Sequence, residues 1–125
     1  ERFEIGGTNT PAILGQATSV RWIRETVGVD WAFERIARLG RYAWEKLAEL
    51  DGVTLITPKA KMAGLVSFTV AGIEPPDLVR RLTERGVVIR YIRQPLCTRI
   101  ATGFYNTEED VDRAVAAIRE VQSSL

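Results

Sequence analysis

Between Gly86 and Val115 the chain reads GVVIRYIRQPLCTRIATGFYNTEEDVDRAV, and an arginine interrupts each of its two apolar runs: Arg90 the first, Arg99 the second. Both runs have the length and composition of strands, and the Pro95-containing connection lets them run back beside one another. Arginine keeps its proton inside a protein, so burial cannot switch its charge off. A guanidinium among apolar neighbours therefore needs an anion, and its planar fork matches a carboxylate through two parallel hydrogen bonds. No acidic residue lies between Arg90 and Glu108 to serve locally. Two guanidiniums converging on one spot also repel unless an anion is normally there. This points to the carboxylate of a small acid, an amino acid above all. The plainer alternative is that each arginine pairs with a surface acid or snorkels from a strand edge.

The rest of the chain supplies helices to cover such strands. After the loop-forming stretch Gly6-Gly7-Thr8-Asn9-Thr10, Pro11 opens a helix in which Ile13, Leu14, Ala17, Val20 and Val27 recur at helical spacing, and Gly28 stops it. Asp30 is placed to cap a second helix with the stripe Ile36, Leu39, Ala43, Leu47 and Leu50, closed by Asp51-Gly52. Trp31, Phe33, Tyr42 and Trp44 lie on its other faces, which suggests packing against more than its own sheet. Val53–Thr57 and Gly64–Val70 read as strands joined by a polar loop. Pro75-Pro76-Asp77 opens a third helix with Leu78, Val79 and Leu82 inward and Gly86 at its end. Strands follow at Val87–Ile92 and Thr98–Thr102. The last helix starts at Asn106 or Thr107, where Asn106 and Glu109 resemble a capping box, and buries Val111, Val115 and Ile118 with Ala114 beside them. The expected fold is α+β, in the order α-α-β-β-α-β-β-α, with a small, mostly antiparallel sheet of about four strands covered by helices.

Composition narrows the chemistry by exclusion. The 125 residues suit one domain with a real hydrophobic core. With 17 basic and 16 acidic residues the net charge is +1, so no general field draws nucleic acid or a membrane surface. No apolar run approaches the roughly 20 residues of a membrane span, and no signal peptide is visible, so a cytoplasmic setting is expected. There is no histidine and one cysteine, Cys97, which leaves no disulfide, no cysteine-based zinc site, no His-metal chemistry and no Ser-His-Asp or Cys-His machinery within one chain, and no metal is expected. The opening ERFEIGGTNTP lacks an initiator Met and reads as the middle of an ordered segment, so a piece of a longer protein is expected.

Three further groups carry a chemical reading beside a plain one. Gly6-Gly7-Thr8 offers backbone N–H groups and a hydroxyl of the kind that cradles phosphate, or is simply a flexible loop before a helix. Cys97 has no base beside it and reads as a small buried side chain rather than a nucleophile. Lys59 and Lys61 would need desolvation to form a Schiff base, and sit in a polar loop. Tyr105 and Asn106 close the strand and cap the helix.

RFEIGGTNTPAILG near the start, with IR…CTRIATGFYNTEEDVDRAV near the end, resembles the C-terminal small domain of class V aminotransferases. These fold-type I, pyridoxal 5′-phosphate enzymes include cysteine desulfurases, isopenicillin N epimerase-like proteins and cystine C–S lyases. The resemblance covers essentially the whole chain, through specific motifs at its ends and a compatible middle. It implies that Arg99 clamps the substrate carboxylate, with Arg90 as a second arginine near it. It also implies that Gly7 and Thr8 reach the cofactor phosphate of the partner subunit in a homodimer, although Gly7 stands where the family's threonine is usual. The desulfurase loop cysteine has no counterpart in the short stretch Tyr91–Leu96, and Cys97 adjoins the clamp strand instead. The imine lysine, the aspartate on the pyridine nitrogen and the stacking aromatic belong to the family's large domain. The resemblance therefore implies residues 1–125 as a domain that holds the acid, supplies no catalytic residue of its own, binds no cofactor alone and is inactive alone. Lyase or epimerase-like chemistry on an amino acid ranks ahead of transamination, and desulfuration comes last. The rival is a free-standing, non-catalytic module that binds an amino acid or joins protein subunits.

Overall fold

The computed structural model describes residues 9–125, which form two compact units, one ending at Phe33 and one spanning Glu34–Leu125. In the first, helix α1 (Thr10–Trp22) begins where the Asn9 side-chain carbonyl accepts the Ala12 N–H at 3.2 Å, with Pro11 in the first turn. Thr18 and Ser19 donate their hydroxyls to the Leu14 and Gly15 carbonyls one turn back, at 2.9 and 3.1 Å. The helix does not run regularly to Val27 but widens into a π-helical turn over Ile23–Val27. Gly28, at φ +86°, ends it as expected, donating its N–H to the Ile23 carbonyl at 2.9 Å.

Helix α2 (Val29–Ala48) starts in the first unit and continues into the second. Its start directly after Gly28 puts Asp30 inside the first turn, so Asp30 is not the cap and meets the positive end of the helix from within. In residues 34–125 the stripe Leu39, Ala43, Leu47 and Leu50 is buried as expected, with Ile36 half-buried. Gly40 belongs to the same contact: a β-carbon there would run into the Ala63 carbonyl, so helix and loop backbone touch directly.

The strands are β1 (Val53–Leu55), β2 (Leu65–Val70), β3 (Arg90–Arg93) and β4 (Leu96–Ala101), all antiparallel neighbours in the order β1-β2-β4-β3. Between β2 and β3 lies α3 (Pro75–Glu84), and α4 (Glu108–Ser123) follows β4. The architecture is α+β with the expected order of elements. Alternation does the sorting: Val66, Phe68 and Val70 of β2 and Ile100 of β4 face one way, onto Leu47 of α2, Leu78 and Leu82 of α3, and Val111 and Ile118 of α4. Burying each such side chain contributes about 1.5–3 kcal/mol. The helices of residues 34–125 thus share one face of the sheet.

Two strands are shorter than their apolar runs. Val87 and Ile89 pack against the core, but the ladder begins at Arg90. β1 stops at Leu55, while the N–H groups of Ile56 and Thr57 still donate to the Ser67 carbonyl. The last helix is capped by Thr107, not Asn106: the Thr107 hydroxyl accepts the Asp110 N–H at 3.3 Å, and the Asp110 carboxylate accepts the Thr107 N–H at 3.1 Å. Asn106 closes the turn before it by accepting the Gly103 N–H at 2.8 Å. No helix among the described residues is long and apolar enough to cross a membrane.

Candidate functional site

β3 and β4 form a hairpin whose two-residue connection, Gln94-Pro95, sets the register Arg93↔Leu96, Ile92↔Cys97, Tyr91↔Thr98 and Arg90↔Arg99. The two arginines are therefore directly opposite each other, and opposed residues of an antiparallel pair project from the same face. That face is set by β2, where Phe68 opposes Thr98 and Ser67 opposes Arg99. Phe68 points at the helices, so Thr98 does too, and Arg99 points away from them with Arg90 and Ser67.

Their environments differ along the row. Arg90, on the edge strand, is exposed, and Arg99, on an inner strand, is half-buried. The Nε of Arg99 is buried without a hydrogen-bond partner. Among the described residues, none of the ion pairs within 4 Å includes either arginine. Like charges directly opposed across two strands destabilise the pair. The arrangement is suited to receiving an anion on the face away from the helices.

The exit of β4 is held firmly. Thr102 donates its N–H to the Gly64 carbonyl at 2.8 Å, and its hydroxyl lies 3.2 and 3.3 Å from the Gly64 and Ile36 carbonyls. Arg35 of α2 donates to both Glu108 oxygens at 3.1 Å and to the Asn106 carbonyl at 2.8 Å. The Arg35 guanidinium, together with the backbone at the helix N-terminus, holds the Glu108 carboxyl below its usual range. Asp110 is held low as well, by the Asn106 amide and then the Thr107 N–H. These contacts fix the strand that carries Arg99 against the helical layer.

Of the other residues singled out above, Gly7 and Thr8 lie outside the described residues. Cys97 is 2% exposed, as its apolar setting suggests. Lys59 pairs with Glu45 at 2.9 Å and lies over the Trp44 ring, and Lys61 is exposed. Tyr105 is 77% exposed and meets Phe104 edge-on. Sequence reasoning left Ser67 and Arg35 out. Only the strand register brings Ser67 into the row, and Arg35 is joined to Asn106 and Glu108 by folding alone.

Fold and site define an α+β domain that places two opposed arginines on the sheet face away from α2, α3 and α4. The chain belongs to the class-V aminotransferase family, whose sequence profile matches residues 1–114. A probable cysteine desulfurase of Staphylococcus epidermidis is 29% identical over 97% of this chain and 32% of its own length. One from Xylella fastidiosa is 30% identical over 99% of this chain and 32% of its own length. Among solved structures, the apo cysteine desulfurase of Thermococcus onnurineus superposes with a TM-score of 0.89 at 28% identity, over 99% of this chain and 34% of that one. The cystine C–S lyase C-DES, in complex with its product cysteine persulfide, gives 0.84 at 25% identity over 94% of this chain and 31% of that one. A lysine-to-alanine variant of that lyase carries glycine covalently linked to its PLP cofactor. The chain spans about a third of the length of the curated relatives it matches.

Proposed function

We propose that residues 1–125 form the C-terminal, acid-binding domain of a pyridoxal-phosphate enzyme acting on an amino acid, with Arg99 gripping the substrate carboxylate and Arg90 adding a second charge. The observation that carries this reading is the direct opposition of the two arginines, neither of them in an ion pair among the described residues. The described residues suit the acid end of a substrate and not the anchor of the cofactor. Lys46 and Lys59 are paired with Glu49 and Glu45, at 3.7 and 2.9 Å, and Lys61 lies exposed in the turn between β1 and β2. In this reading the anchoring lysine belongs to the rest of the enzyme, the domain is inactive alone, and Gly7 and Thr8 face the cofactor phosphate of a second subunit.

Pyridoxal phosphate, when bound, supplies the electron sink for a bond broken next to the amino nitrogen. The contribution of Arg99 is orientation. Holding both carboxylate oxygens fixes rotation at the α-carbon, and with it which bond stands perpendicular to the cofactor plane. Lyase or epimerase-like chemistry ranks ahead of transamination, and desulfuration last. The C–S lyase relative supports lyase chemistry, the desulfurase relatives match at least as well, and the low rank of desulfuration rests on Cys97, the one cysteine of the sequence, which is buried opposite Ile92 and badly placed to accept sulfur.

In the whole enzyme, Arg99→Ala should raise the KM for the amino acid by at least about tenfold, because each hydrogen bond to a charged group contributes about 1.5–3 kcal/mol. Turnover should fall as well, while the cofactor absorbance spectrum stays intact. Unchanged KM and kcat would sink the assignment.

A further inference from the structure

The row on the sheet face away from α2, α3 and α4 has a third member. Ser67 of β2 lies opposite Arg99 on the side away from Arg90, so Arg90, Arg99 and Ser67 line up across three adjacent strands. Neighbouring β-carbons in such a row are roughly 5 Å apart. The row therefore sets a hydroxyl on one flank of Arg99 and a guanidinium on the other.

The backbone of Ser67 is held tightly and its side chain is not. The Ser67 N–H donates to the Thr57 hydroxyl at 2.8 Å, and its carbonyl accepts from Ile56 and Thr57 at 2.8 and 3.3 Å. Thr57 is fixed in turn by the Trp44 indole, whose N–H donates to the Thr57 carbonyl at 2.9 Å. The Ser67 hydroxyl itself makes no hydrogen bond among the described residues, although the residue is half-buried. A half-buried donor without a partner, on a frame this well fixed, is arranged for something that arrives from outside. It needs only one torsion to set its direction.

We propose that Ser67 is a substrate-binding residue of the acid site: its hydroxyl donates to one oxygen of the carboxylate held by Arg99, from the flank opposite Arg90. This rests on the acid-binding reading and deepens it. A fork alone lets the carboxylate rock about the line between its two hydrogen bonds. A third donor outside that fork fixes the carboxylate plane, and so narrows the acids accepted to those whose two oxygens are both free. Amides and esters of the same amino acid lack the second anionic oxygen, so they cannot satisfy the fork and this third donor together.

The test uses the full-length enzyme with its cofactor, titrating glycine and glycinamide by the change in cofactor absorbance. Ser67→Thr and Ser67→Val are the decisive pair, since they match in shape and differ by the hydroxyl. Ser67→Thr should keep the native preference for glycine over glycinamide. Ser67→Val should lose on the order of tenfold in glycine affinity, the scale of one hydrogen bond to a charged group, with glycinamide affinity unchanged. Equal glycine affinity in the two variants overturns the proposal. Arg99→Gln, titrated in parallel, separates the two claims. If it abolishes the preference while Ser67→Val does not, Ser67 is excluded and the acid site stands; if Arg99→Gln keeps the preference too, the acid site itself is wrong.

Discussion

Thr98 and Arg99 are consecutive residues of β4 that stand on opposite faces of the sheet, and each carries a buried polar atom with no partner. Thr98 faces the helical layer and is 0% exposed. Its orphaned hydroxyl is sealed among apolar groups, so the lost hydration is a standing cost of about 1–3 kcal/mol. Arg99 faces away from α2, α3 and α4 and is half-buried, and its guanidinium, without an ion pair among the described residues, can still be met by a ligand. The same defect thus has two meanings. On the helical face it only lowers stability; on the other face, in the acid-binding reading proposed above, it is capacity kept for binding.

The covered face should respond to change through stability alone. Phe68 is fully buried on β2 at the centre of the core. Phe68→Ala should lower unfolding free energy by about 3–5 kcal/mol, the usual range for emptying such a site, read from the urea midpoint. A loss below about 1 kcal/mol would mean that the helices do not pack on this face as described.

The next effect is smaller and opposite in sign. Thr98→Val removes the orphaned hydroxyl while keeping the branched shape, and should raise stability by about 1 kcal/mol, the low end of the desolvation cost recovered. A fall in the midpoint would show that the hydroxyl is satisfied within the core, and the contrast between the two faces would lose one side.

How much of this contrast is legible in the sequence differs between fold and site. The alternation in Leu65–Val70 and the stripe of α4 are strong enough to place the core face directly. The two arginine-bearing strands are legible too, but their apolar runs leave a longer gap between Ile92 and Thr98, and only the ladder shows the two-residue turn at Gln94-Pro95 that sets Arg90 opposite Arg99. The run Val87–Ile92 misleads about pairing, since its first half is apolar for contact with the core rather than for a place in the ladder. The helix start at Asn106-Thr107-Glu108-Glu109-Asp110 offers two overlapping capping boxes one residue apart, and only the backbone decides for Thr107 with Asp110. Asp30 is displaced from its capping role by Gly28 just before it. Ser67 is invisible until the register between β2 and β4 is known, because a serine in an alternating strand looks like any outward residue.

The smallest effect is also the one that separates binding from structure on the open face. Arg90 is exposed and opposes Arg99 directly, so in the ligand-free protein the two charges repel. Opposed like charges cost about 0.2–1 kcal/mol, and salt screens exposed charges over a length of about 10 Å at 0.1 M. Arg90→Gln should therefore stabilise the ligand-free protein by a few tenths of a kcal/mol at low salt. The gain should shrink as salt is added, and the urea midpoints of the two proteins should converge. In the acid-binding reading the same substitution should weaken glycine binding in the whole enzyme, because it removes one of the two cations assigned to the carboxylate. A gain in stability with a loss in affinity is the signature of charge held ready for a ligand. If stability and affinity fall together, Arg90 braces the hairpin instead, and Arg99 remains the one cation of the acid site.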